Sequence, residues 1–412
     1  MTQERIRLRD YQDRIAGEAA DRLSRLGICY LGMECRTGKT LTALSAAERT
    51  GTRSVLFVSK LKALPSVRND YAMLQPPYAM TAVNYESAHK VSGEWDLVIL
   101  DEAHNLGQFP RPNQRARRLR EICGGLPVLY LSGTPSPESY SQLYHQLWVC
   151  SFSPWRKYAN FYRWARDGYV RVRQRMINGQ QMNDWSDADA ERIGRDIAPF
   201  LITWSQEESG FSSGIREHTV TVHMKPVTAE LLHRLWHDRV AEIDGMAVLA
   251  ANPATLLTKM HQISSGTVIA ENGASIAFDD SKAIYIRDHF RGKTAVFYVY
   301  RQEEEMLKMV FPDWTDDPEE FQASDSKVFI SQVRRAREGV RLDSADALVF
   351  LNLEYSYLSY EQGRNRLVSK ERETPADVWF LCSDCGIERS ILEAVHGKTD
   401  FTLSYYRRHA AR

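Results

Sequence analysis

Two short stretches concentrate the residues able to do chemistry. Glu34-Cys35-Arg36-Thr37-Gly38-Lys39-Thr40 stands between an apolar run, Ile28–Met33, and a helix-like stretch, Leu41–Glu48. A chain that leaves a strand through a glycine and enters a helix aims several backbone N–H groups at one point, where the helix dipole also favours an anion. In such a loop Gly38 lets the backbone approach phosphates, Lys39 neutralises the β- and γ-phosphates, and the Thr40 hydroxyl can hold Mg²⁺. Arg36 and Thr37 complete the cradle, and Met33 stands where the usual pattern has its first glycine. The second stretch, Asp101-Glu102-Ala103-His104, directly follows Asp96-Leu97-Val98-Ile99-Leu100. An acid at the carboxyl end of a buried strand can bind Mg²⁺ directly or through its waters, which assigns Asp101 to the metal. Glu102 is then placed to orient or deprotonate an attacking water. Magnesium suits such a site because it keeps several waters and takes one carboxylate plus phosphate oxygens. Together the two stretches predict hydrolysis of ATP with Mg²⁺.

Elements that could hold these loops recur in two clusters of short, β-branched and aromatic runs. The first is Ile28–Met33, Ser54–Val58, Leu97–Leu100 and Val128–Leu131; the second is Ala295–Tyr300, Val328–Ser331, Ala347–Leu351 and Val378–Cys382. Strands covered by helices on both faces read as continuous apolar runs, so the pattern predicts two doubly wound α/β lobes with parallel sheets. A chain of 412 residues has room for both. The expected division is an N-terminal lobe over 1–205, whose part 150–205 is a basic and aromatic helical extension, a linker with helical segment over 206–280, and a C-terminal lobe over 281–412. Gly210–Gly214 reads as a linker and Ala229–Ile243 as an amphipathic helix.

Composition excludes some classes. No apolar run reaches the ~18 residues of a membrane span and no apolar leader opens the chain, so a cytoplasmic protein without membrane contact is expected. Six cysteines are too few for a disulfide framework at this length, and Cys382 with Cys385 has zinc-knuckle spacing but no second pair, so both read as a strand end. Formal charge is zero, with 53 basic and 53 acidic residues, which leaves only local charge informative. From Arg156 to Arg175 the chain carries Arg156, Lys157, Arg163, Arg166, Arg171, Arg173 and Arg175 against Asp167, interleaved with Trp155, Tyr158, Phe161, Tyr162, Trp164 and Tyr169. The mixture suits a phosphate backbone with exposed bases, and equally a surface helix with its aromatics in the core. Arg111, Arg115, Arg117, Arg118 and Arg120 read as a solvated face.

With the phosphate loop and the acid pair in place, the chain resembles superfamily 2 helicases, and within them the Swi/Snf-like branch found in compact bacterial and phage proteins. Leu8-Arg9-Asp10-Tyr11-Gln12 looks like the opening element of that family, in which the glutamine reads adenine. Ser59, Lys60, Asn84 and Tyr85 fall where the family places strand-tracking contacts. Leu131-Ser132-Gly133-Thr134-Pro135 looks like the motif that links hydrolysis to lobe movement, with His104 as its partner. Pro199-Phe200-Leu201-Ile202 and Ser281-Lys282 are weaker echoes of mid-chain landmarks. Gly339-Val340-Arg341-Leu342 resembles the motif that contacts nucleic acid and nucleotide. Tyr360-Glu361-Gln362-Gly363-Arg364-Asn365-Arg366 looks like the final motif. The family places arginines four and seven residues after that glutamine; here Arg366 holds the first position and Ser369 the second, with Arg364, Lys370 and Arg372 nearby.

The resemblance implies two tandem RecA-like lobes and an ATP-dependent DNA helicase or translocase acting on duplex or branched DNA in replication, repair or recombination. It further implies a monomeric motor in a bacterial or phage-infected cytoplasm. Gln362, Arg364 and Arg366 become candidate catalytic groups, with Arg366 as the arginine finger. Gln12 and Gly339 join Arg36 to Thr40 in holding nucleotide; His104, Ser132 and Thr134 couple; Arg163, Arg171 and Arg173 touch nucleic acid. An RNA helicase, or an ATP-switched binding module that moves no strand, remains open.

Overall fold

The computed structural model describes residues 5–177, 180–211, 214–336, 340–369 and 372–397. The apolar runs of the first half form a parallel sheet of β1 (Ile28–Met33), β2 (Ser54–Ser59), β3 (Ala79–Asn84), β4 (Leu97–Asp101) and β5 (Val128–Leu131). A hairpin, β6 (Arg173–Ile177) and β7 (Gln180–Asp184), stands outside it, and β8 (Leu201–Trp204) rejoins it beside β1. The spatial order is β3-β2-β4-β5-β1-β8. Alternate residues feed two separate cores: Tyr30, Leu56, Val98 and Val128 on one face, Cys29, Leu31, Val55 and Ile99 on the other. Burial on both faces is why these strands lack a period-2 pattern.

Helices cover the sheet. α1 (Asp10–Leu26) buries Ile15, Ala16, Ala19 and Leu23 and ends at Gly27 with φ of 68°. A Cβ there would lie 2.6 Å from the Phe152 ring, so both conformation and space require glycine. α2 (Lys39–Arg49) follows the loop 34–38, α3 (Leu64–Leu74) links β2 to β3, and α4 (Gln114–Ile122) precedes β5.

The second unit starts at Phe211, after Gly210, and runs to Gly397. Its sheet is also parallel and six-stranded among the described residues. β9 (Ile215–Val222) is its edge; β14 (Thr294–Tyr298), β15 (Trp314–Thr315), β16 (Val328–Gln332), β17 (Ala347–Phe350) and β18 (Ala376–Ser383) complete the order β15-β16-β14-β17-β18-β9. Between β9 and β14, two hairpins and the helices Pro226–Asp238 and Pro253–Ser264 build a small core of their own around Leu235, Val248, Ile263 and Val268. The hairpins are β10 (Val240–Ile243) with β11 (Met246–Leu249), and β12 (Thr267–Ile269) with β13 (Ser275–Ala277).

Three expectations change here. Residues 206–280 are not a separate linker: the division falls at Gly210, and the chain beyond it supplies β9 to the second sheet. The helix expected over Ala229–Ile243 ends at Asp238, because Asp244 and Gly245, both with positive φ, close a two-residue turn that pairs 240–243 with 246–249. The extension 150–205 is only partly helical, containing the β6–β7 hairpin and β8 as well. No disulfide joins the six cysteines, and no described helix is long and apolar enough to cross a membrane.

The second unit encloses an ion pair. Lys282 Nζ lies 2.5 Å from Glu388 Oε1 with both side chains almost fully buried, and the hydroxyl of Ser383 donates to Glu388 Oε2 at 2.8 Å. Removing one member of such a pair leaves a buried charge without compensation. Lys282→Met alone should therefore lower stability in equilibrium urea unfolding by about 3–5 kcal/mol, while Lys282→Met with Glu388→Leu recovers most of the loss. A double variant no more stable than the single one would contradict this.

Candidate nucleotide-binding site

Strand register brings the sequence motifs together. β5 lies between β1 and β4, with Leu131 paired to Leu31 on one side and to Asp101 on the other. The strands are parallel, so the loops after Met33, Asp101 and Leu131 all open at one carboxyl edge. This is where open α/β sheets bind ligands. Gly38 caps α2 in the left-handed region with φ of 79°, and a Cβ on it would lie 2.0 Å from Gln12 Nε2. Lys39 donates from Nζ to the carbonyls of Met33 at 2.7 Å and Glu34 at 3.1 Å. A phosphate drawn to that ammonium would exchange places with those carbonyls. A Cβ on Gly133 would stand 3.4 Å from the same Nζ, which places the third loop against the first. Thr37 is buried, its hydroxyl donating to Glu34 O at 2.7 Å, and Thr40 is half-buried in the first turn of α2.

Asp101 sits in opposing fields. Burial and the neighbouring Glu102 push its carboxyl up to about 6, while the Ser59 hydroxyl, donating to Oδ2 at 2.6 Å, and the Lys39 charge favour the ionised form. Glu102 adopts a left-handed backbone, φ 52° and ψ 46°, a conformation uncommon for a residue with a side chain. Asn105 fixes it by donating from Nδ2 to Glu102 O at 2.7 Å. His104 Nδ1 lies 3.0 Å from Ser132 Oγ and 3.2 Å from Glu102 Oε2, and the Thr134 backbone N–H donates to Ser132 Oγ at 3.1 Å. The coupling candidates thus form one chain from the acid to the third loop. Thr134 Oγ1 is buried and has no hydrogen-bond partner among the described residues. Such an atom fits a site completed by an outside group. Among the described residues no cluster of three or more His, Cys, Asp or Glu could hold a metal alone. A divalent ion at Asp101 and Thr40 would need waters and phosphate oxygens, which is how Mg²⁺ commonly binds.

Gln12 reaches this edge from α1. Its Oε1 accepts from Arg9 N at 3.0 Å and its Nε2 donates to Gly38 O at 3.4 Å. Tyr11 Oη donates to Thr37 O at 3.1 Å, and its ring stacks on Trp204 at 5.5 Å with Arg14 over the indole. Trp204 and its neighbour Gln206, both bonded to the loop, were not marked by the sequence. The polar Trp-Ser-Gln run after an apolar strand was their only signal.

Several expected contacts have other duties. Ser59 is fully buried against Asp101, and Tyr85, 2% exposed, donates from Oη to Asp101 O at 2.5 Å. Both position the acid and are closed to a nucleic-acid strand. Asn84 is half-buried, accepting from Ser87 N in a local turn, and Lys60 is half-buried beside it. In the basic stretch Trp155, Phe161, Trp164 and Tyr169 are buried in the core of the first unit, so these rings offer no face to bases. Arg163, Arg171 and Arg173 remain exposed, the last paired with Asp187 at 2.7 Å.

In the second unit, Arg366 follows the helix Tyr357–Arg364 and donates from Nε to Gln362 O at 2.8 Å and from Nη1 to Val340 O at 3.3 Å. The last two motifs therefore adjoin. Gly339 and Lys370 lie outside the described residues. Gln362 is 3% exposed. Arg364 pairs with Glu217 at 2.9 Å and Glu361 at 2.7 Å over the Tyr360 ring, which ties the helix to β9. Gln362 and Arg364 are thus both packed within this unit. Arg372 donates to Ala345 O at 2.7 Å.

No protein-family model and no curated protein matches the chain in sequence.

The raised Asp101 carboxyl has a stability consequence. Its folded value of about 6 exceeds the ~3.9 of an unfolded chain, so the native state holds a proton that the unfolded state has lost. Stability is thus lost as pH rises from about 4 to 6, and above that window the buried charge weighs fully against the fold. Asp101→Asn should raise the thermal midpoint at pH 7.5 by about 2–4 °C, with the difference vanishing near pH 4. Equal midpoints at pH 7.5 would show that Asp101 carries no such penalty.

Proposed function

We propose that this chain is a nucleic-acid-stimulated ATPase of the helicase type, built on RecA-like units, that translocates on duplex or branched DNA. The observation that carries the reading is the convergence of Lys39, Asp101, Glu102, His104 and Ser132 at one carboxyl edge of one sheet. A loop amine, an acid for the metal, an acid for water and a polar relay between them match the needs of phosphoryl transfer to water.

Mg²⁺, when bound, would supply charge neutralisation across the phosphate oxygens. The chain's own residues do the rest. Lys39 and the α2 N-terminus hold the β- and γ-phosphates, and Gly38 allows their approach. Gln12, fixed at Gly38, stands where an adenine contact is assigned. Glu102 receives or orients the proton of the attacking water, and its link through His104 to Ser132 ties the acid's position to the third loop. Phosphoryl transfer gains ~10³–10⁵ in rate from a further cation. Arg366 is assigned that role because it is joined to Val340 at the edge of the adjacent motif, whereas Arg364 is held by two carboxylates.

DNA is favoured over base-stacking on a single strand by the state of the basic stretch. Arg156, Arg163, Arg166, Arg171 and Arg173 are exposed while the largest rings of the stretch are in the core, which suits backbone phosphates more than unstacked bases. Duplex or forked DNA is therefore the first ligand to test.

Turnover measured at fixed salt against single-stranded DNA, forked DNA, duplex DNA and RNA should be stimulated most by forked or duplex DNA. Lys39→Ala, Glu102→Gln and Arg366→Ala should each reduce stimulated turnover by about 10²-fold or more, with Glu102→Gln still binding ATP. Near-normal turnover in Glu102→Gln would remove it as the water-activating acid. Stimulation by RNA alone would move the ligand to RNA, and ATP-dependent binding without displacement of streptavidin from a labelled strand would replace the motor with a switch.

A further inference from the structure

The phosphate loop is bonded on its far side to the segment through which the chain leaves the first unit. Glu34 N donates to Trp204 O at 2.9 Å, Gln206 N donates to Glu34 Oε2 at 2.8 Å, and Gln206 Nε2 donates to Cys35 O at 3.0 Å. Glu34 faces inward as well. Its carbonyl accepts from Lys39 Nζ at 3.1 Å and from the Thr37 hydroxyl at 2.7 Å. Glu34 therefore touches both the Lys39 ammonium and Gln206 of the exit segment, the latter 172 positions away in sequence.

The exit segment is a firm turn. Ser205 donates from N and Oγ to Glu208 Oε2 at 2.8 and 2.9 Å, Ser209 N donates to Ser205 O at 3.1 Å, and Gly210 N donates to Glu207 O at 2.9 Å. Ser205 and Ser209 are buried. The first unit ends at Gly210, so this turn is the last part of it before the chain enters the second.

We propose that Glu34 and Gln206 form a clamp that reports the state of the phosphate loop to the segment joining the two units, with Gln206 as a positioning residue. The inference rests on the nucleotide-site reading above. A phosphate that draws Lys39 away from Glu34 O changes what Glu34 holds on its inner side, and Glu34 passes the change to the Gln206 amide through its carboxylate. Coupling of this kind is reciprocal: whatever fixes the exit turn also presets the loop for ATP. An interaction across two hydrogen bonds, one of them to a charged acceptor, is large enough to alter ATP affinity severalfold to tenfold.

The test is hydrogen exchange of the 204–211 backbone with and without saturating Mg²⁺-ATP in the Glu102→Gln protein, together with steady-state kinetics in the wild type. ATP should slow exchange of the Gln206 and Gly210 amides by about tenfold. Glu34→Ala and Gln206→Ala should lose that slowing and raise KM for ATP about tenfold, with kcat changed less than about threefold. Glu34→Gln keeps an acceptor in the same place and should restore the slowing and the KM; Gln206→Glu, of equal size but with an acceptor facing Cys35 O, should not. Nucleotide-dependent slowing that survives in Glu34→Ala and Gln206→Ala would overturn the clamp alone. Failure of the unsubstituted protein to bind Mg²⁺-ATP at all, with the same thermal midpoint as Lys39→Ala at every ATP concentration, would overturn the clamp and the nucleotide site together.

Discussion

Parallel pairing of β5 between β1 and β4 is the constraint on which the site depends. Three segments remote from one another in sequence become neighbours because Leu31, Leu131 and Asp101 lie level across three strands. A shift of one residue would turn every side chain of a strand to the opposite face. Here each strand carries residues of both cores, Tyr30 and Cys29 on β1, Val98 and Ile99 on β4, and these fill different cavities. The packing of large apolar side chains thus fixes the register, and the register fixes the polar loops at the strand ends.

On that frame the site is held under tension. Asp101 is half-buried beside Glu102, Glu102 has a left-handed backbone, and Lys39 rests on two carbonyls of its own loop. On the proposed reading, each arrangement is incomplete for the chain alone and would improve on adding a divalent ion and phosphates. Buried neighbours absorb the tension: the Ser59 and Tyr85 hydroxyls hold the side chain and carbonyl of Asp101, and Asn105 holds the Glu102 carbonyl. Preorganisation of this kind is expected where charge must be stabilised at the moment of reaction.

Much of this is legible in the sequence because the signals are local. The eight apolar runs all form strands within two residues of their expected limits, and the loop and acid pair each follow one of them. Features that depend on contacts remote in sequence are less legible. β9 is half-buried or exposed at every position before Val222, so it does not read as part of a buried sheet, and only its pairing with β18 places it there. Asp244-Gly245 carries a hairpin signal that the helical periodicity of Leu231, Leu232 and Leu235 masks. The aromatic-basic stretch is ambiguous because rings that stack on bases and rings that pack in a core are the same residues; Trp164 and Phe161 belong to the core. Ser59 and Tyr85 are expected as strand-tracking contacts and lie buried against Asp101, since a hydroxyl near a strand end carries no mark of which way it points.

On the proposed reading, loop, acid pair and third loop form one Mg²⁺-dependent triphosphate site. Calorimetric titration of a non-hydrolysable ATP analogue tests it most directly. The account predicts a single site that binds with Mg²⁺, weakens by at least about tenfold when EDTA removes the metal, and is lost in Lys39→Ala. Binding that is indifferent to Mg²⁺ and to Lys39, or no binding at any concentration, would contradict it.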